Sequence, residues 1–186
     1  ESLGHLPEYR VDVVGNVDMM GNAEDIDVHA LLGTRANVTV DLYKKPRHFN
    51  AFITRMQRGE RHGRYESFTI QLRPWPWFAT RSRNSKVFQD KSVKDIVSDV
   101  LTPYSSDFEW RLAIPSVYTK LEYTIQYEES DFDFVSRLLE EHGIYYFFEH
   151  TDTTHTMVLI DDLAKHKSKK NSDAIKWANS LKENHT

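Results

Sequence analysis

The sequence contains no cysteine. That excludes a disulfide framework, a Cys-ligated zinc site and a thiol nucleophile, and it fits a reducing compartment. Glycine is scarce, at 7 residues. There is no glycine-rich phosphate loop, no Gly-x-Ser-x-Gly elbow and no His-x-x-x-His zinc helix. No apolar run approaches the ~18–20 residues of a membrane span, and no signal-peptide pattern is visible. Basic excess is also missing. Lys plus Arg is 24 against 28 for Asp plus Glu, a formal charge of -4, which argues against a dedicated nucleic-acid binder. Apolar residues are few, at 39% of 186 with tyrosine counted, where ordinary domains run at ~45–50%. Three explanations fit: a thin-layered fold, a solvated tail, or a core completed by another chain. The chain opens at Glu1 rather than Met, as a piece of a longer protein would.

What is present reads first as strands. Tyr9, Val11 and Val13 alternate with Arg10 and Asp12, the period-2 signature of a half-buried strand. Ile26, Val28 and Ala30 also alternate, but Leu31-Leu32-Gly33 ends like a helix with a glycine cap, so a short helix from about Asp27 is preferred. Val38, Val40 and Leu42 give the clearest strand. Lys44-Lys45-Pro46 reads as a turn. The next strand spans about His48 to Gln57, with Phe49, Ala51 and Ile53 on one side. Gly59 to Gly63 turns the chain, and Phe68, Ile70 and Leu72 return it. Hairpins at this spacing suggest a small antiparallel barrel or sandwich.

The character changes at Arg73-Pro74-Trp75-Pro76-Trp77, where two prolines bracket a tryptophan and a strand interior is disfavoured. Val93, Ile96, Val97, Val100 and Leu101 lie on one helical face. Ser92 and Asp95 form a capping-box-like start, and Pro103 stops the helix. Phe108, Trp110 and Leu112 alternate as a strand, as do Leu121, Tyr123, Ile125 and Tyr127. Ser130 opens a second helix, with Asp131 and Asp133 in its first turn where carboxylates suit the dipole, Phe132, Val135, Leu138 and Leu139 as its stripe, and Gly143 at its end. Ile144 to Phe148 reads as a strand covered on both faces, Thr151 to Thr154 as a turn, and Thr156, Val158 and Ile160 as the returning strand. From Asp162 a Lys-rich arm follows, with a weak helical pattern through Ile175, Ala178 and Leu181.

Four groups of residues invite chemistry. His142, His150 and His155 lie near Glu140, Glu141 and Glu149. His150 and His155 flank a turn, but nothing fixes a third metal ligand or an outer shell of partners, and surface histidines are the preferred reading. Glu128, Glu129, Asp131 and Asp133 invite a glycosidase or a magnesium site, yet their place at a helix start already accounts for them. Arg55, Arg58, Arg61 and Arg64 surround a glycine turn and read as a solvated hairpin tip rather than a phosphate site. Trp75, Trp77 and Phe78 suit core and interface packing better than a sugar platform. No catalytic, cofactor-binding or metal residues are assigned.

The motifs are more specific than the composition. Arg73-Pro-Trp-Pro-Trp77, Phe88-Gln-Asp-Lys-Ser-Val-Lys-Asp-Ile96 and the run QYEESDFDFVSRLLEEHGIYYFFE from Gln126 to Glu149 resemble the VgrG proteins of bacterial type VI secretion, a family that includes the phage late-control protein D and tail-hub proteins. His48-Phe49 and Ile53-Thr-Arg55 match more weakly. Ala51 stands where relatives often have Gly, and Thr124 where they often have Cys.

The resemblance implies an α+β fold, an antiparallel β-barrel module followed by a mixed α+β module as in contractile-phage tail hubs. The expected division is residues 1–72 as the barrel-like domain, 73–161 as the α+β domain with two helices, and 162–186 as a Lys-rich arm leading toward a second barrel. It implies a non-enzymatic structural hub, homotrimeric, seated on rings of a hexameric Hcp-like tube protein. A PAAR-like tip protein and effectors would be reached through C-terminal regions beyond this chain. No cofactor, nucleic acid or stable membrane anchor is implied. Assembly would take place in the bacterial cytoplasm and secretion would follow on firing. A prophage tail baseplate hub is the nearest alternative, and a cell-wall or sugar hydrolase a more distant one.

Overall fold

Period-2 stretches at either end of the first seventy residues pair into one sheet. In a computed structural model, which describes residues 2–16, 27–42, 45–62 and 65–166, β1 (Tyr9–Asn16), β2 (Arg35–Leu42), β3 (Lys45–His62) and β4 (Tyr65–Arg73) form an antiparallel sheet in the order β1-β4-β3-β2. Ala51, Ile53 and Leu72 are buried on one face, with Tyr9, Val11, Ala36, Val38, Met56 and Ile70 packed around them. A register shift between Ile53 and Arg55 carries that face from the 49-51-53 parity to Met56. Such a bulge is how one strand changes the side it presents without leaving the ladder.

The sheet is open: β1 and β2 are its edges and do not pair with each other among the described residues. The α+β class expected from the sequence is therefore right, but its barrel is not closed here. The expected turn at Lys44-Lys45-Pro46 is also corrected. Lys45 and Pro46 lie within β3, opposite Leu42 and Asp41. Proline is tolerated because β4 ends at Arg73 opposite Phe52, so no β4 partner stands beside the missing amide. At its other end β3 extends through the expected Gly59 turn to His62; Gly63 and Arg64 lie outside the described residues.

Asp27 caps α1 (Val28–Leu31), its Oδ1 accepting from the His29 and Ala30 amides at 2.9 and 3.1 Å. Gly33 follows with φ +79°, the left-handed conformation that a glycine stop supplies. The strand alternative that began at Asp25 lies partly outside the described residues.

The second half holds the main core. A 3-10 turn, Trp75–Thr80, follows β4. Then come β5 (Asn84–Ser92), α2 (Val93–Leu101), β6 (Phe108–Arg111), β7 (Lys120–Glu129), α3 (Asp131–Glu141), β8 (Tyr145–His150) and β9 (His155–Ile160). β5 and β7 make a two-stranded antiparallel sheet; β6, β9 and β8 make a three-stranded one in which β6 and β9 run parallel. Met157, Val158, Leu159 and Ile160 are all fully buried, because β9 is the central strand and both its faces are covered. β8 is covered on both sides too, but differently. Tyr146 faces the core, while Tyr145 and Phe147 stack on His166 at 5.8 and 4.9 Å. The arm beyond His166 lies outside the described residues.

Both helices start where expected. In α2 the Ser92 Oγ accepts from the Asp95 amide at 3.2 Å and Asp95 accepts from the Ser92 amide at 3.2 Å, a complete capping box. Ser92→Ala should lower stability by about 1 kcal/mol, read as a shift in urea midpoint at constant slope. Phe134, absent from the expected α3 stripe, is fully buried and stacks on Phe88 at 5.5 Å. No helix among the described residues is long and apolar enough to cross a membrane.

Candidate assembly surface

The sequence offered four polar or aromatic groups, and the fold separates them by use. His150 and His155 do face each other, directly paired across the β8–β9 hairpin with ring centroids 6.1 Å apart. Both are turned toward protein partners. His155 is fully buried; its Nε2 accepts from the Trp75 amide at 2.9 Å and its Nδ1 lies 3.0 Å from Asn50 Oδ1. His150 Nδ1 lies 3.1 Å from both the amide and the carbonyl of Asn50. The expectation of surface histidines is thus corrected for these two: they lie where β3 overshoots β4 and meets β8 and β9. Burial pushes the His155 pKa down to about 4, with neighbouring His150 and Arg35 adding to the effect. His142 instead sits at the end of α3, its Nδ1 2.9 Å from the Leu138 carbonyl oxygen. Among the described residues no group of three or more His, Asp or Glu is placed to hold a metal ion.

The carboxylates are likewise engaged. Asp133 accepts from the Ser130 hydroxyl at 2.7 Å and donates its amide back to the Ser130 Oγ at 3.0 Å. Glu129 pairs with Arg137 at 2.8 Å. Asp131 is buried rather than merely near a helix dipole. Its oxygens accept from Asn84, Gln126 and Tyr104 at 2.9, 2.8 and 2.7 Å. Burial alone would raise its pKa, but these three donors outweigh that and hold it below the usual carboxylate range.

One strong site was not visible in the sequence. Arg111 on β6 is nearly buried and forks onto two carboxylates, Glu149 at 2.8 and 2.7 Å and Glu109 at 2.9 and 2.7 Å. Both acids keep the guanidinium charged and raise its pKa further. Glu109 and Arg111 share one face of β6, but Glu149 lies 38 residues from Arg111, and only the β6-β9-β8 pairing brings it in. Of the arginine run, Arg58 meets Glu66 at 3.1 Å and lies over the Phe68 ring at 6.0 Å. The aromatic trio divides as well: Trp75 is buried, whereas Trp77 is half-buried beneath Arg73 and Arg81 at 5.1 and 4.6 Å.

Beside those groups stands an exposed apolar row. Along β7 the alternation is real, but Tyr123, Ile125 and Tyr127 face outward, exposed at 60%, 55% and 73%, while Thr124 and Gln126 point into the body. Val87 on β5 stands opposite Ile125 and is 61% exposed. A polar inner row and an apolar outer row invert the usual arrangement of a half-buried sheet. Contiguous exposed apolar side chains of this kind mark an interaction surface. Ile114, Val117 and Leu163 add separate exposed apolar points.

Known proteins share this chain's text and shape. The sequence profile of the phage tail baseplate hub (GPD) family matches residues 1–185. The type VI secretion system spike protein VgrG1b of Pseudomonas aeruginosa is 35% identical over 163 residues, 87% of this chain and 22% of that relative. VgrG1a of the same organism is 35% identical over 170 residues, 90% of this chain and 25% of the relative. The chain thus spans a quarter or less of the length of these curated relatives. Among solved structures, an E. coli protein, c3393, described as a type VI secretion component similar to the T4 tail proteins gp27 and gp5, superposes with a TM-score of 0.77 at 24% identity, over 90% of this chain and 45% of that one. A tail protein from Neisseria meningitidis gives 0.55 at 10% identity, over 83% and 41%.

Proposed function

The chain belongs to the phage tail baseplate hub family, and from that premise we propose that it forms part of the homotrimeric hub at the base of a type VI secretion spike. The observation that carries this reading is the match over residues 1–185 together with 35% identity to proteins named as such spikes. In this role the region holds shape and transmits load; it does no bond chemistry. Residues 1–72 serve as the barrel-like part, 73–161 as the α+β part, and 162–186 as the arm toward a second barrel. Three copies present a platform to a hexameric Hcp-like tube ring. A PAAR-like tip and effectors attach through regions beyond this chain. The hub assembles in the cytoplasm and leaves the cell on firing.

The geometry supports a load-bearing rather than a catalytic reading. The acids a hydrolase would use are held by Arg137, by Ser130 and by the Asn84-Gln126-Tyr104 cluster. The low apolar content finds a place in the outward row of β7, which a neighbouring protomer or the remainder of the protein would cover. A prophage tail hub is the second reading. The family profile itself describes a phage tail baseplate hub, and the Neisseria tail protein shares the fold.

Light scattering on the full-length protein should give the mass of three chains, and removing it should abolish release of the tube protein into the medium. Ile125→Lys with Tyr127→Lys should reduce the trimer to smaller species. In the 186-residue chain the same pair should change stability by less than about 0.5 kcal/mol per site, as exposed positions do. A full-length protein that stays monomeric at every concentration, and whose loss leaves tube-protein release intact, sinks the hub reading. A trimer unaffected by the paired lysines moves the interface off β7 without touching the hub.

A further inference from the structure

The four-stranded sheet and the α+β body have distinct cores, one around Ala51, Ile53 and Leu72 and the other around α2, α3 and β9, with Phe52 of β3 packed against the second. Their polar connection is concentrated at Asn50. This residue is 2% exposed, lies on β3, and is held from the body by both hairpin histidines, its side-chain Oδ1 by His155 and its backbone amide and carbonyl by His150. Tyr9 on β1 adds a contact from its hydroxyl to His150 Nε2 at 3.3 Å. Arg35 on β2 reaches Asp107 at 2.6 Å.

The bonding of His155 determines its tautomer. An amide can only donate, so Nε2, facing the Trp75 N–H, must be the unprotonated acceptor. The ring proton is then on Nδ1 and is donated to Asn50 Oδ1. A second proton would have to enter at Nε2, where it would oppose the Trp75 N–H at 2.9 Å. The neighbours give it little charge compensation. From β8 it meets His150 and the Phe148 ring, and from β3 Asn50 and the Phe52 ring, while the Arg35 charge on β2 opposes a second proton; Asp107, which favours one, is already paired with Arg35. His150 differs in this respect, because the Asn50 carbonyl lies within 3.1 Å to accept from a protonated Nδ1.

We propose that His155 is an acid-release pin: a proton taken from solvent at its Nε2 breaks the bond to Trp75 and unhooks the four-stranded sheet from the α+β body, whose own core stays folded. Trp75 is the residue at which the chain passes from the sheet to the body, so its amide is the natural hinge point. The sign follows from burial. The closed junction holds the imidazole neutral, while the opened junction lets it titrate near its ordinary value of about 6.5. The closed form is therefore favoured fully above that value and loses ground as pH falls toward about 4.

Amide hydrogen exchange on the full chain by NMR, at pH 7.5 and pH 5, tests this. The protection factor of the Trp75 amide should fall by about 30-fold across that interval. At pH 5 the Val97 and Leu138 amides, in α2 and α3, should remain at least about tenfold better protected than Trp75, because the opening is sub-global. In His155→Gln, where a neutral amide oxygen accepts from Trp75 and the fall has no proton to drive it, the pH dependence should disappear. Equal protection of Trp75, Val97 and Leu138 at pH 5 overturns the proposal, as does an undiminished fall in the variant. Should the variant fail to fold, ring nitrogen shifts of the wild-type chain decide. The Nδ1–H tautomer with a midpoint well under 6, moving in step with the Trp75 amide, supports the pin, and an ordinary histidine midpoint overturns it.

Discussion

Asp131→Ala is expected to destabilise the chain by about 3–5 kcal/mol, on the scale of breaking a buried charged group out of its bonds. The carboxylate is 3% exposed, and its bonded partners are the neutral donors Asn84, Gln126 and Tyr104 rather than a cation. These donors come from β5, β7 and the segment after α2, so the side chain ties three elements to the start of α3. Removing it leaves two amide groups and a hydroxyl facing a void, and Gln126 is fully buried. Asp131→Asn should recover only part of the loss, since it turns an N–H toward one of three donors. The acid limb carries a second signature. Because the folded pKa lies below the unfolded value of about 3.9, this stability is present above that value and disappears as pH falls through the folded one. The gap in urea midpoint between wild type and the alanine variant should therefore narrow as pH is lowered below about 3.9. A loss under about 1 kcal/mol at pH 7 would show that the cluster is solvated and dispensable.

Asp131 also marks where sequence reading reaches its limit. A carboxylate in the first turn of a helix has a local explanation, and that explanation was sufficient to stop at. Its burial depends on Gln126, which is near in sequence but carries no helix-capping signal, and on Asn84 and Tyr104, which no window around Ser130 contains. Local signals carry through: the Ser92–Asp95 box, Ser130, Gly33, Gly143 and the strand periods all stand in the fold. Facing is not a local property. Leu121, Tyr123, Ile125 and Tyr127 announce a strand correctly, yet period 2 does not say which side meets the body: of that row Leu121 alone packs against the core, which takes Thr124 and Gln126 from the other side. The parallel pairing of β6 with β9 was equally out of reach, as was Arg111 with its two acids. The long motif from Gln126 to Glu149 identified the family because it packs a strand end, a capped helix and an aromatic strand into one continuous text. The histidines are legible in sequence as a pair flanking a turn but not as buried, since only the length of β3 brings Asn50 against them.

Trp75→Ala should cost about 3–5 kcal/mol, whereas Trp77→Ala, two residues away in the same proline-bracketed motif, should cost about 1. The two indoles look interchangeable in sequence and differ in what surrounds them. Trp75 is 1% exposed and belongs to the main core. Its ring lies 6.3 Å from Phe108, and its Nε1 donates to the Asp107 carbonyl at 3.3 Å. Truncation empties a large volume that α2, α3 and β9 cannot all close on, and it leaves the carbonyl of Asp107, whose carboxylate holds Arg35, with the Met157 amide alone of its two donors. Trp77 is capped by two guanidinium groups at the surface, a contribution of roughly 0.5–1 kcal/mol at exposed sites, and water can replace what it covers. Trp75→Phe separates the two parts of the larger effect. It keeps most of the packing and removes the Nε1 bond, so it should fall between the alanine variant and wild type. Thermal and urea unfolding of the three variants should rank them Trp75→Ala, Trp75→Phe, Trp77→Ala from least to most stable. An equal loss at positions 75 and 77 would mean that the tryptophan at the joint between sheet and body is no better packed than its half-buried neighbour, and the joint could not then carry load from one to the other.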